Sequence, residues 1–280
     1  MTGLVLEGGA IRTIFSSGVC DGLLHMNLMA DYVVGVSAGI AYGVSYVSRQ
    51  EGRNLKILEK YVNDPRYMGV GNFLDVKNRC YFGLKFTYDT IPNKLVPFDY
   101  ISYGKFKGDV EAVVTNLLSG QAEYRRVPAQ NNSDLLQATC AMPFLFPIYD
   151  LDGQPYLDGG AADAIPYQRA FDRGCDKAVV VLTRERSYRR KPEQLQPLLD
   201  RWYRKYPKFC DTMRRRADTY NESRERLFAL EQEGKVFLLS PHSTAGFTRT
   251  EKDLHKIRAL WKDGYDQALE NETALRAFMK

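Results

Sequence analysis

The sequence predicts an α/β fold built on a mainly parallel sheet covered on both faces. Three observations predict it. The first half alternates strand-length apolar runs with helix-length segments, the pattern of βαβ units. The runs Leu4-Val5-Leu6 and Tyr32-Val33-Val34-Gly35-Val36 are apolar on both sides of the pleat, as buried parallel strands are. The chain has 280 residues, 44% apolar and 26% charged, enough for a sizeable core and too apolar for wholesale disorder.

Taken in order, Leu4-Val5-Leu6 is a strand, Gly8-Gly9 breaks it, and residues 11–26 read as a helix. The strand at 32–36 follows, and after Ser37 the small residues Ala38-Gly39-Ile40-Ala41 start another helix. Residues 64–107 lose periodicity and hold Pro65, Pro92, Pro97 and ten Phe or Tyr, which reads as an elaborated loop or lid. Residues 110–118 and 122–127 are strand-like runs around Ser119-Gly120. Ser133 can cap a helix that ends before Pro143, and Asp152-Gly153 is a strong hairpin signal between 147–150 and 155–157. A helix opened by Pro166 and a strand over 177–182 add one more unit. Residues 193–233 are helical in propensity with breaks at Pro197 and Pro207, 235–239 is a late strand, and Thr248-x-x-Glu251 opens a last helix. The expected organisation is a core over 1–183, with 64–107 as its lid or cap insertion. A basic helical extension over 184–280 packs on the same domain.

Composition narrows the function. The five cysteines are scattered and form no C-x-x-C pair, so neither a disulfide framework nor a metal site is expected, and no cofactor is called for. Strand-like sequence begins at Thr2, leaving no room for a signal peptide, and no apolar run reaches the length of a membrane span. A cytoplasmic protein, at most peripheral at a membrane, is the expectation. Net charge is +5, but its distribution is uneven: residues 184–216 hold twelve Lys or Arg against four Asp or Glu.

Gly35-Val36-Ser37-Ala38-Gly39 matches the nucleophile-elbow pattern and stands between a strand and a helix, where that pattern exposes a serine hydroxyl. The helix start behind it offers N–H groups to a developing oxyanion. A serine that merely caps the helix is the plainer reading. Glu7-Gly8-Gly9-Ala10-Ile11-Arg12 again joins strand to helix; its small residues let backbone amides approach an anion, and Arg12 adds charge. A dinucleotide fingerprint fails there because Ala10 and Thr13 stand at the later glycine positions. Asp158-Gly159-Gly160 follows a strand, and alone it reads as a turn. Of the three histidines, His25 and His255 fall on helices as structural residues, and His242 can complete a Ser37-Asp158-His242 triad of the α/β-hydrolase order.

These blocks in this order resemble the signature of the patatin-like phospholipases: the Gly-rich turn with Arg12, the elbow Gly35-x-Ser37-x-Gly39, and Asp158-Gly159-Gly160. The segment 138–143 with Phe146-Pro147 resembles the stretch that leads to the family's Asp-Gly motif. The resemblance covers residues 2–183. It implies a three-layer α/β/α sandwich with a mainly parallel central sheet, carrying C-terminal helical additions. It implies also that Ser37 is the nucleophile and Asp158 its base, with no histidine, in a hydrolase of lipid carboxylic esters that passes through an acyl-enzyme. The turn Gly8-Gly9-Ala10 with Arg12 becomes the oxyanion hole, Gly35 and Gly39 flank the elbow, and Gly159 and Gly160 complete the Asp-Gly motif. The family turn usually carries glycine where Ala10 and Thr13 stand, and a Cβ at Ala10 restricts positive φ.

Two other functions compete: a soluble esterase using the His242 triad, and a catalytically weak lipid-binding regulatory protein. The aromatic stretch 64–107 can line an acyl channel or simply pack as a loop cluster. The basic stretch 184–216, with Trp202, Tyr203, Tyr206 and Phe209, suits peripheral contact with an anionic membrane or a solvated helix face. The chain lacks a recognised nucleic-acid module, so no nucleic acid is expected as a partner.

Overall fold

The structure, a computed structural model, describes residues 1–74, 80–130 and 132–280. The chain opens with β1 (Thr2–Leu6), α1 (Ile14–His25), β2 (Tyr32–Val36), α2 (Ala38–Val47), α3 (Arg53–Tyr61) and α4 (Tyr100–Gly104). Next come β3 (Asp109–Asn116), β4 (Ala122–Arg126), α5 (Ser133–Thr139), β5 (Tyr149–Leu151), β6 (Gln154–Asp158), α6 (Tyr167–Asp172) and β7 (Lys177–Val181). The remainder adds α7 (Gln196–Trp202), α8 (Pro207–Gln232), β8 (Val236–Leu239), α9 (Leu254–Glu270) and α10 (Glu272–Phe278).

One sheet runs in the order β5-β6-β3-β2-β1-β7-β8, with β4 also paired to β3. From β3 to β8 the pairs are parallel; β4, β5 and β6 join antiparallel. The strand period of two divides the core into layers. Leu4, Leu6, Val33, Val179 and Val181 pack with Ile14, Phe15 and Val19 of α1 and with Ile257 and Leu260 of α9. Their sequence neighbours Val5, Val34, Val36, Val180 and Leu182 face the other way, onto Ala170 of α6 and Tyr220, Leu227 and Leu230 of α8. Helices therefore cover both faces of a mixed, mainly parallel sheet.

Residues beyond 183 take part in all three layers: β8 extends the sheet beside β7, α8 lies on one face and α9 on the other. Differences from the expected elements are local. Residues 11–26 divide into a 3-10 turn at Ala10–Thr13 and α1, because Ala10 has a positive φ of 51° that an α-helix does not tolerate. The last helix starts at Leu254, not 251: Asp253 is its N-cap, accepting from His255 and Lys256, while Glu251 reaches back to the Thr248 amide. Ser133 is the first residue of α5 and not its cap, and its hydroxyl accepts from Gln137. In the stretch 64–107 the chain forms a 3-10 turn (Val70–Leu74), a π-helical segment (Phe86–Leu95) that contains Pro92, and α4; residues 75–79 of the expected lid lie outside the described residues.

Candidate active site

Strand register brings the sequence blocks together. In the β1–β2 ladder Leu6 stands opposite Gly35, so the chain two residues on sets Gly8 beside Ser37. A Cβ on Gly8 would lie 3.0 Å from the Ser37 Cβ and from the Val36 carbonyl, tighter than an ordinary van der Waals contact. Leu6 is also opposite Val181, which carries Thr183 to the same level. On the other side β3 acts as a ruler: Val113 pairs with Val36 of β2, and Val114 with Asp158 of β6. Consecutive residues of one strand thus hold the end of β2, from which Ser37 emerges, and the end of β6, which carries Asp158. The cluster sits at the carboxyl ends of the parallel strands, where open α/β sheets carry their sites.

Ser37 adopts φ 54° and ψ −135°, a conformation costly for a residue with a Cβ. The surroundings hold it there. Its amide donates to Thr139 Oγ1 at 2.9 Å, and the Thr139 hydroxyl donates to the Val113 carbonyl at 2.5 Å, tying the elbow to β3 through α5. Gly39 permits the turn, since a Cβ there would come within 2.6 Å of the Leu6 carbonyl.

Asp158 is buried, and that burial raises its pKa above the ordinary carboxylate value. Opposing this are the Ser37 side chain, the Gly160 amide donating at 2.7 Å, and the charges of Arg216 and Arg249. The carbonyl of Asp158 accepts from Thr115 Oγ1 at 2.9 Å, which fixes the backbone beneath the carboxylate. Cys140 also reaches Ser37; burial pushes its thiol up to about 12, so it stays protonated and is no nucleophile at neutral pH.

In the Gly-rich turn, the Ile11 amide donates to the Arg249 carbonyl and the Arg12 amide to the Gly9 carbonyl. Among the described residues no backbone acceptor takes the amides of Gly8, Gly9 and Ala10. Arg12 therefore brings charge rather than its backbone N–H. Ala10 takes the left-handed conformation in spite of its Cβ. Glu7, buried at the end of β1, accepts from the Thr183 amide and the Tyr220 hydroxyl at 2.6 Å each and so pins the turn.

His242 is not part of this cluster. Its ring and its amide bond to Asp263 of α9, and its side chain is 78% exposed. Among the described residues neither Ser37 nor Asp158 is a hydrogen-bond partner of His242, whose partners are Asp263 and Gln267 of α9, so the residues Ser37, Asp158 and His242 are not joined as a triad here. His255 lies in the first turn of α9, and His25 ends α1 beside Glu51.

An apolar cavity of about 130 Å³ opens at Ser37 and Ala10. Ala38, Ala41 and Tyr42 of α2 form one wall, and Tyr67, Phe82, Tyr88 and Phe98 from the stretch 64–107 face it with Leu136, Met142 and Phe146. Sequence reasoning gave no role to Thr139, Glu7, Cys140 or Arg216. Glu7 alone carried a local signal, an acid closing an otherwise apolar strand.

The chain is similar to several known proteins over part of its length. The chain is 29% identical over 189 residues to the uncharacterized protein YjjU of Escherichia coli strain K12, a match covering 64% of this chain and 51% of that protein. The chain thus spans about half the length of that curated relative. A superposition on the crystal structure of VipD from Legionella pneumophila covers 96% of this chain and 66% of the other at 13% identity, with a TM-score of 0.46. A model described as a domain of unknown function (DUF6363) matches residues 206–280. The model of the patatin-like phospholipases matches residues 4–171, more than half of the chain and a span that includes Gly8, Ser37 and Asp158; the chain belongs to the patatin-like phospholipase family.

Proposed function

We propose that this protein hydrolyses carboxylic ester bonds of lipids with Ser37 as nucleophile and Asp158 as its base. The observation that supports the proposal is the β3 register, which pairs Val36 and Asp158 with adjacent residues of one strand, and the Ser37 side chain acts on the Asp158 carboxyl. In the reaction Ser37 Oγ attacks the ester carbonyl as its proton passes to Asp158. The amides of Gly8, Gly9 and Ala10 and the start of α2 stabilise the oxyanion. Collapse expels the alcohol, which takes the proton from Asp158. Water then attacks the acyl-enzyme, giving its proton to Asp158, and the released fatty acid leaves Ser37 protonated again. A free carboxyl near pKa 3.9 is a feeble base for a hydroxyl, and the upward shift of Asp158 brings it closer to its task.

The cavity beside Ser37 is proposed to take the acyl chain, its aromatic lining excluding water from the ester. Peripheral membrane contact is assigned to the exposed Trp202, which packs edge-on against Phe144, together with the exposed Leu145, Leu195 and Leu198. Among the described residues no helix is long and apolar enough to cross a membrane.

Turnover of p-nitrophenyl acyl esters and phospholipids tests the assignment. Ser37→Ala and Asp158→Asn should each lower kcat by about 10³-fold or more, and His242→Ala should leave it largely intact. No turnover by the wild-type protein on any ester would favour a lipid-binding regulatory role instead.

A further inference from the structure

We propose that the cavity beside Ser37 ends on a carboxylate-binding site built around Arg53, so that the preferred substrate is an ester whose acyl chain itself ends in a carboxylate. The inference deepens the hydrolase reading above and rests on it.

Helix α2 measures the cavity. Ser37 stands at its start, and Ala38, Ala41 and Val44 line the cavity along the next two turns. Ser45, eight residues after Ser37, lies roughly 12 Å along the helix at 1.5 Å per residue. Its hydroxyl accepts from Arg53 Nη1 at 3.3 Å, which sets the guanidinium at that level. Arg53 is itself a lining residue, and its Cζ lies 5.2 Å from the ring centre of Phe98, which also lines the cavity. The cation thus stands about two helical turns from the nucleophile. A chain of side chains holds it there: the Ser45 hydroxyl donates to Asn54 Oδ1 at 2.9 Å, and Asn54 Nδ2 donates to Ser17 Oγ at 3.0 Å.

A methyl-ended acyl chain has no use for this cation. Arg53 is only 8% exposed, and among the described residues it closes no ion pair within 4.0 Å, whereas Arg125, Arg169 and Arg214 each meet a carboxylate. Its acceptors are neutral, the Ser45 hydroxyl and the Val96 carbonyl at 2.9 Å, and its Nε is buried without any. Thr87, another lining residue, likewise holds a buried hydroxyl without a partner. Arg53 is also the first residue of α3, the end where the helix dipole opposes a cation and favours an anion. Burial lowers its pKa to about 10, so it stays charged at neutral pH. A buried cation with only neutral partners is costly, and an anion brought to it offsets that cost.

A carboxylate suits the position, since its two oxygens take charge-assisted bonds from a planar guanidinium. The apolar middle of the cavity then covers the methylenes between the two ends of the acyl group. An extended chain gains roughly 3.5 Å over three bonds, so the distance of roughly 12 Å asks for about ten bonds. That is the span of a dicarboxylic acid of about nine carbons, held as an ester at Ser37 and as a carboxylate at Arg53.

The test compares the mono-4-nitrophenyl ester of azelaic acid, which ends in a carboxylate, with 4-nitrophenyl nonanoate, which has the same length and ends in a methyl group. The wild-type protein should show at least a tenfold higher kcat/KM on the azelaic ester, carried in KM. The shorter adipic half-ester, whose carboxylate falls short of Arg53, should show no such advantage over 4-nitrophenyl hexanoate. Arg53→Met should reverse the order of the two nine-carbon esters, Arg53→Lys should keep part of the preference, and Arg49→Gln, an exposed neighbour bonded to Asn27, should keep all of it. Calorimetry on Ser37→Ala protein reads the site without turnover: monomethyl azelate should bind at least tenfold more tightly than methyl nonanoate. Equal wild-type turnover of the two nine-carbon esters overturns the carboxylate site and leaves the hydrolase standing, whether or not Arg53→Met folds. Tighter binding of the azelate without preferential turnover marks a site for a free carboxylate and overturns the substrate assignment. If no ester is hydrolysed the hydrolase reading fails, and the calorimetry then decides the site, equal binding of the two ligands overturning it.

Discussion

Ser37 and Ala10 both hold positive φ, and the two strains differ in origin. At Ser37 the conformation aims the hydroxyl, and Thr139 braces it by accepting the Ser37 amide. Thr139→Val keeps the shape and removes that acceptor, leaving a buried N–H unpaired. It should cost about 1–3 kcal/mol in denaturant unfolding and lower kcat as the elbow relaxes. At Ala10 a Cβ sits on left-handed backbone with φ 51°. Ala10→Gly should retain activity and gain up to about 1 kcal/mol of stability, since left-handed backbone is natural to glycine.

The raised pKa of Asp158 has two consequences with opposite signs for function and stability. Below that pKa the carboxyl is protonated and cannot take the proton of Ser37, so kcat/KM should fall on acidification through a midpoint above the usual carboxylate range, readable in a pH–rate profile. The folded state, by contrast, favours the protonated acid. That contribution to stability is fully present below the unfolded-state pKa and is lost as pH rises through the folded-state pKa. Asp158→Asn, neutral at every pH, is therefore expected to raise Tm at pH 7 while abolishing turnover.

Among the elements, β3 matters most to the site. It pairs with both β2 and β6, and Gly159 packs so tightly on it that a Cβ would stand 2.2 Å from the Val113 carbonyl. Gly159→Ala should push the end of β6 off β3, carry Asp158 away from Ser37 and lower both Tm and kcat. Much of this was legible in the residues. The elbow and the Gly-rich turn are local: each needs small residues at one strand-to-helix joint, and such needs are written in adjacent positions. The Asp152-Gly153 hairpin was readable for the same reason, with both residues at positive φ. The pairing of β6 with β3 was not, because register between strands 43 residues apart is set by sheet packing that no local pattern records. Thr139 was hidden likewise: a buried threonine on a short helix declares its partners only in three dimensions.

At the scale of the molecule, the C-terminal third enters the sheet through β8, covers opposite faces through α8 and α9, and brings Arg216 to the Gly160 carbonyl and Arg249 to the Ile11 amide. Its excess of positive charge was visible in the sequence, yet which cations turn inward was not, since that depends on how α8 crosses the sheet. The outward apolar residues near Trp202 predict lipid contact. Trp202→Ala should weaken flotation with liposomes while leaving hydrolysis of a soluble short-chain ester unchanged. Equal flotation of the two proteins would remove that face from the membrane.

Fluorophosphonate labelling with peptide mapping tests the pairing of Ser37 with Asp158 most directly. Label on Ser37 in the wild-type and His242→Ala proteins, with labelling of Asp158→Asn slower by about 10³-fold, is the expected result. Undiminished labelling of Asp158→Asn, or its loss in His242→Ala, would contradict a base that is a carboxylate alone.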